Sequence, residues 1–90
     1  MDPDELISAT IAVYPLQAES EAAVHRAIDA IESRDVETQV GPMSTLVTGT
    51  ADEVFGSLRA AFEAAASTGG VVMHAAVSNV CPLPHRRHHR

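Results

Sequence analysis

The chain has 90 residues, a net charge of −6 and no Trp, so it is long enough for one domain with a hydrophobic core. Its acidic balance and its three aromatic side chains, one Tyr and two Phe, argue against nucleic-acid binding, which depends on basic tracks and stacking rings. The sequence also predicts a cytoplasmic protein with no membrane partner. It has a single cysteine, no signal-peptide pattern, and no apolar run that approaches the roughly 20 residues of a membrane span.

The first half of the chain contains a strand, a helix and a second strand. Residues 6–14 alternate between two sets of side chains, which is the period of a β-strand, and Pro15 is expected to end it. Residues 18–34 predict an amphipathic helix whose apolar stripe is Val24, Ala27, Ile28 and Ile31. Residues 36–40 alternate again and predict a charged edge strand.

The second half opens with a turn at Gly41 and Pro42, followed by a third strand over residues 43–48 that Gly49 closes. Thr50, with Glu53 three residues later, is the signature of a capping box, so a helix is predicted over residues 51–67. Its predicted apolar stripe is Val54, Leu58, Ala61, Phe62 and Ala65. Residues 71–79 predict the last strand, and residues 83–90 a disordered basic tail.

The element order β, α, β, β, α, β predicts an α+β, ferredoxin-like fold, with a four-stranded antiparallel sheet and two helices on one face, in one domain of residues 1–82. The expected strand order 4-1-3-2 makes the first and last strands neighbours. The sheet face away from the helices is called the open face. Its predicted members are Ser8, Thr10, Ala12, Tyr14, Val72, His74, Ala76 and Ser78, with Glu37 and Gln39 at the far edge. Because these side chains are small and mostly uncharged, we expect another subunit, a ligand or both to cover them.

Four residues are candidates for function, and each has a structural alternative. His74 could bind a ligand or lie in an interface, and no His, Cys or carboxylate at ligand spacing predicts a metal site with it. Tyr14 could stack on a flat ring or plug a strand end, and Asn79 could bind a heteroaromatic ligand or form a turn. Cys81 has no base to activate it. With no phosphate loop and no acid–base pair, the sequence predicts no catalysis.

Several segments together resemble the YkoF-type family of thiamine and hydroxymethylpyrimidine binding proteins. They are AVYPL at residues 12–16, MSTLVTG at 43–49, DEVF at 52–55 and VMHAAVSNVCP at 72–82. The resemblance implies the same ferredoxin-like domain and non-catalytic binding of thiamine or its hydroxymethylpyrimidine moiety in vitamin uptake or salvage, with no cofactor. Members of that family carry two such domains in tandem, whereas this chain has one. We therefore expect a homodimer or homotetramer formed through the open face.

An aminopyrimidine offers accepting ring nitrogens and a donating amine, so a complementary pocket needs hydroxyl and amide groups. On this chemistry the predicted ligand-binding residues are Tyr14, Ser44, Thr45, Thr48, His74, Ser78 and Asn79. Ser44 and Thr48 alternate with Thr45 along one strand, so only one of these two sets is expected to face the pocket. The alternative function is a structural or regulatory oligomerisation module that takes another small ligand or none.

Overall fold

The computed structural model of the protein describes residues 1–16, 20–34, 36–41 and 44–80. Its elements are β1 (Leu6–Pro15), α1 (Ser20–Glu32), β2 (Glu37–Val40), β3 (Thr45–Thr50), α2 (Ala51–Ala66) and β4 (Val71–Ser78). The strands form one antiparallel sheet in the order β2-β3-β1-β4. The predicted ferredoxin-like α+β fold is therefore confirmed. Several predicted features lie outside the described residues. They are the turn residue Pro42, Cys81, the domain end at residue 82 and the basic tail.

One face of the sheet packs against both helices and forms a core of small side chains. Its members are Ile7, Ala9 and Ile11 of β1, Val47 of β3, Ala23, Ala27 and Ile31 of α1, and Val54, Ala61 and Ala65 of α2. Alanine predominates on the helices, so they can lie close to the strands. The predicted stripe of α1 is fully buried at Ala27 and Ile31, whereas Val24 and Ile28 are only partly covered.

The apolar stripe of α2 differs from the prediction at Phe62. This side chain is 43% exposed, and the fully buried Ser57 belongs to the stripe instead. The helix is rotated so that its small residues face the core and α1, which it contacts directly. Ser57 tolerates burial because its hydroxyl donates to the Glu53 carbonyl at 2.8 Å. Phe55 shares the exposed side of α2 with Phe62.

The junction between β3 and α2 is a complete capping box. The Glu53 N–H donates to Thr50 Oγ1 at 3.3 Å, and the Thr50 N–H donates to Glu53 Oε1 at 2.9 Å. β3 does not close at residue 48 as predicted, because Gly49 still pairs with Ile7 and Thr50 with Leu6. A Cβ on Gly49 would lie 2.7 Å from Glu53 Oε1, so glycine makes room for the capping carboxylate.

The other element bounds lie within a few residues of the predicted ones. α1 ends at Glu32, and the next residues form a turn in which the Ser33 N–H donates to the Asp29 carbonyl and the Arg34 N–H to the Ile31 carbonyl. β1 extends through Pro15, one residue beyond its predicted range. β4 ends at Ser78, one residue early.

The open face has the predicted composition, and the register arranges it in rows. Ser8 lies between Ser78 and Thr48, Thr10 between Ala76 and Leu46, Ala12 beside His74, and Tyr14 beside Val72. Glu37 and Gln39 of the edge strand β2 continue the first two rows, opposite Thr48 and Leu46 respectively. The first and last strands are therefore neighbours, as the sequence predicts.

We predict that Thr50→Ala lowers the free energy of unfolding by about 1 kcal/mol, because the Glu53 N–H loses its capping oxygen. Urea denaturation of both proteins would measure the change. Ser67→Ala is a suitable control, since Ser67 is exposed at the other end of α2, away from the cap. A loss at Thr50 no larger than the loss at Ser67 would mean that the cap does not stabilise α2.

Candidate functional site

A cavity of about 250 Å³ lies between α1 and the end of the sheet where β1 extends beyond β3. It is called the α1 cavity. Its walls are Val24, Ala27, Ile28 and Ile31 of α1, residues 11–14 of β1, and Gly41, Ser44 and Thr45 around the β2–β3 turn. The partial exposure of Val24 and Ile28 follows from their position on its wall.

The polar groups of the α1 cavity are concentrated at the turn between β2 and β3. Ser44 is half-buried there, and the Thr45 side chain is only 7% exposed. The Gly41 N–H donates to the Ser44 carbonyl at 2.8 Å, which fixes the two sides of the turn relative to each other. Tyr14 also lines the cavity and is 53% exposed.

The chemistry of this cavity suits a small uncharged ring. Most of its described wall is aliphatic, Ser44 and Thr45 lie together at one side, and no charged side chain is among the described residues that line it. Ligand sites of this kind bind by apolar contact and use a few polar groups to orient the ligand. At roughly 30 Å³ per water molecule, the volume is sufficient for one substituted six-membered ring.

A second depression, the outer groove, lies on the open face beside the turn. It is lined by Thr10, Gln39, Val40, Gly41, Ser44 and Leu46, and it has a volume of about 450 Å³. Gly41 and Ser44 line both depressions. The turn between β2 and β3 therefore separates a cavity on the helix side of the sheet from a groove on its open face.

The structure divides the predicted site residues into two groups. Tyr14, Ser44 and Thr45 line the α1 cavity. Thr48, His74 and Ser78 are on the open face, and Asn79 is exposed just after β4. Ser44 and Thr45 both line the α1 cavity at the start of β3, although they alternate along the chain. Which of them faces a ligand stays a prediction.

Sequence reasoning missed the α1 side of the site. Val24, Ala27 and Ile28 have the spacing of ordinary core residues, and nothing local distinguishes them from the rest of the helix stripe. One signal was present. The first predicted strand is longer than the third, so one of its ends had to lack a neighbour on that side. The α1 cavity lies at such an end of β1.

The described part of the chain contains no group of three or more His, Cys, Asp or Glu side chains arranged to hold a metal ion. None of the helices in residues 1–16, 20–34, 36–41 and 44–80 is both long enough and apolar enough to span a membrane.

The sequence model of the thiamine-binding protein family matches residues 9–78, which extend from β1 to the end of β4. The chain belongs to this family. The resemblance noted in the sequence is thereby confirmed. Membership of the thiamine-binding protein family supports a thiamine-related binding role, in agreement with a cavity that is suited to a small ring.

Solved structures share the fold of this thiamine-binding protein family member. Protein SP2199 from Streptococcus pneumoniae has a TM-score of 0.77 and 24% identity over 88% of this chain and 90% of that one. A Bacillus cereus domain of unknown function, DUF77, has a TM-score of 0.77 and 17% identity over 92% and 86% of the two chains. A Thermotoga maritima protein described as a candidate for thiamine biosynthesis or salvage has a TM-score of 0.78 and 18% identity over 91% and 95%. No curated protein sequence is significantly similar to this chain.

Proposed function

We propose that this protein reversibly binds the hydroxymethylpyrimidine moiety of thiamine, either free or within thiamine, and does not turn it over. The observation that carries the proposal is the α1 cavity, with its aliphatic wall and the two hydroxyl groups of Ser44 and Thr45, in a member of the thiamine-binding protein family. The binding would serve uptake or salvage of the vitamin in the cytoplasm. It needs no cofactor, nucleic acid or membrane.

The ligand's chemistry agrees with the cavity. A pyrimidine with a methyl and a hydroxymethyl substituent has two flat apolar faces, which fit between the side chains of Ile28 and Val24 and the strand. Its hydroxymethyl group can exchange hydrogen bonds with Ser44 or Thr45. The thiazolium of whole thiamine would extend out of the cavity past Tyr14, which is 53% exposed and whose aromatic ring can interact with a cation.

The remaining predicted ligand contacts form a separate proposal for the same function. Thr48, His74, Ser78 and Asn79 are not among the residues that line the α1 cavity: the first three are on the open face, and Asn79 lies beyond the end of β4. They would contact a ligand only if it lay on the open face. The two possible positions of the ligand are distinguished by substitutions in each group.

We predict that Ser44→Ala and Thr45→Val each weaken binding of hydroxymethylpyrimidine by about tenfold, because losing a hydrogen bond to a polar ligand costs on the order of 1 kcal/mol or more. Isothermal titration calorimetry would measure the change. Ser67→Ala is a matched control, because Ser67 is exposed at the end of α2, outside both depressions. It should bind like the parent protein.

Other outcomes would contradict the proposal at two levels. If neither hydroxymethylpyrimidine nor thiamine produces heat at roughly millimolar concentration, where a Kd near 1 mM still registers, the binding proposal fails and the oligomerisation module takes its place. If His74→Ala and Asn79→Ala weaken binding while Ser44→Ala and Thr45→Val do not, the function stands and the ligand lies on the open face.

We also propose that two copies of the chain associate through the open face, as a homodimer or within a homotetramer. The three rows that contain Thr10, Ala12 and Tyr14 carry no Asp, Glu, Lys or Arg among the residues that the register pairs. Tyr14 and Val72 are also large exposed apolar side chains. A surface of small and apolar side chains without charge is typical of a symmetric protein contact.

We predict that Ala76→Arg dissociates the assembly, because each copy would bring a new cation into the contact without a partner for it. Ala76 is exposed, is on the open face and does not line the α1 cavity. Ala66→Arg, on the exposed side of α2, is the matched control and should leave the assembly intact. Sedimentation of the parent protein as a monomer at roughly tens of micromolar would contradict the proposal.

A further inference from the structure

The two helices cover β1 but leave part of β4 uncovered on the same side of the sheet. Ala9 and Ile11 of β1 face the helices and are buried in the core. The register places Val77 and Ala75 of β4 directly opposite them, so these two side chains are also on the helix side. Both are exposed, Val77 by 41%. The helix side of β4 is therefore open over part of its length.

The two phenylalanines of α2 lie on the flank of the helix that borders this strand. Gly56 marks the opposite flank, because a Cβ there would meet the guanidinium of Arg34, which follows the end of α1. At 3.6 residues per turn, Phe55 and Phe62 share one side of the buried stripe of α2, and Gly56 is on the other side. The rings are thus directed away from α1, toward the side where α2 contacts β4.

These side chains together form a surface along the outer side of α2 and β4, here called the edge surface. Its members are Phe55, Leu58 and Phe62 of α2 and Ala75 and Val77 of β4. Leu58 is half-buried, and the other four are exposed. The surface contains no Asp, Glu, Lys or Arg, and neither does the whole of β4. Contiguous exposed apolar side chains of this kind are typical of a protein contact.

The distribution of charge favours a second copy of the chain as the partner. The chain has a net charge of −6, so two copies repel each other unless they meet where neither carries a charge. The border of the edge surface adds a pair of opposite charges, since Arg59 and Glu63 form an exposed salt bridge at 3.0 Å. Across a two-fold axis, each arginine can reach the glutamate of the other copy, so the border is complementary to itself.

β4 also connects the edge surface with the open face. Its alternate residues Val72, His74 and Ala76 are on the other side of the sheet and belong to the open face. One strand thus presents an uncharged surface on each side of the sheet. A homotetramer with two-fold symmetry axes needs two different self-complementary contacts, and the open face supplies one of them.

We propose that the edge surface is a second contact between copies of this chain, which joins two open-face dimers into a homotetramer. In this contact α2 of one copy lies antiparallel to α2 of the other, above the two β4 strands. Phe55 and Phe62 of both copies then fill the space that the helices leave above β4. The contact goes beyond the proposed ligand binding and does not depend on it, because the edge surface and the α1 cavity share no residue.

The first test is Phe55→Lys, examined by sedimentation equilibrium of the full chain at roughly tens of micromolar. We expect the parent protein to be a tetramer and the variant to have half its mass. The dissociation constant of the edge contact should rise by at least about 30-fold, since a central aromatic side chain of a contact contributes about 2 kcal/mol or more. Ala22→Lys, on the exposed side of α1, is the matched control with the same change in net charge and should remain a tetramer.

Further variants separate the two contacts. Val77→Lys should act like Phe55→Lys, and both should keep the helix content of the parent protein in circular dichroism, because each side chain is exposed. Ala76→Arg, on the open face, should also leave a dimer, held by the edge surface. Phe55→Lys combined with Ala76→Arg should leave a monomer. Ala66→Arg lies at the end of α2, one turn beyond Phe62 and outside the edge surface, so it should remain a tetramer.

Two results would overturn the inference. If Phe55→Lys and Val77→Lys leave the mass of the parent protein unchanged, the edge surface belongs to another partner or to residues 81–90 of the same chain. If Ala76→Arg alone yields a monomer at the same concentration, the edge surface holds no two copies together. A parent dimer that Phe55→Lys splits and Ala76→Arg does not would support the edge contact and contradict association through the open face.

Discussion

The unequal pairing of β1 on its two sides is the constraint from which the other features of this protein follow. β1 is a central strand, yet among the described residues β3 pairs with it only as far as Ile11, while β4 continues to Pro15. α1 crosses the uncovered end, and the space between them becomes the α1 cavity.

The small side chains of the core set how closely the two helices approach the sheet. Alanine at positions 23 and 27 of α1 and at 61 and 65 of α2 lets both helices lie close to the sheet. The cost is a limited amount of buried apolar surface, which leaves a domain of this size only modestly stable. Phe55 and Phe62 add little to the core because α2 presents its small residues to α1 and leaves both rings partly exposed. A small core therefore agrees with the proposal that a second copy covers the open face.

The turn between β2 and β3 links the two surfaces on which function can lie. Gly41 and Ser44 line both the α1 cavity and the outer groove, and the Gly41–Ser44 hydrogen bond holds them together. A ligand in the cavity and a partner on the open face would contact the same few residues from opposite sides. If both proposals hold, binding and association would influence each other through this turn.

The sequence alone determined the element order, the alternation of β1 and the Thr50–Glu53 capping box, because each depends on residues two to four positions apart. The strand order then followed from the element order through the rules of chain connection. It did not predict the exposure of Phe62 or the union of Ser44 and Thr45 at one cavity. These depend on the rotation of α2 against α1 and on where β3 begins opposite β1. Only tertiary structure decides such positions, since they are set by contacts between residues that are distant in the chain.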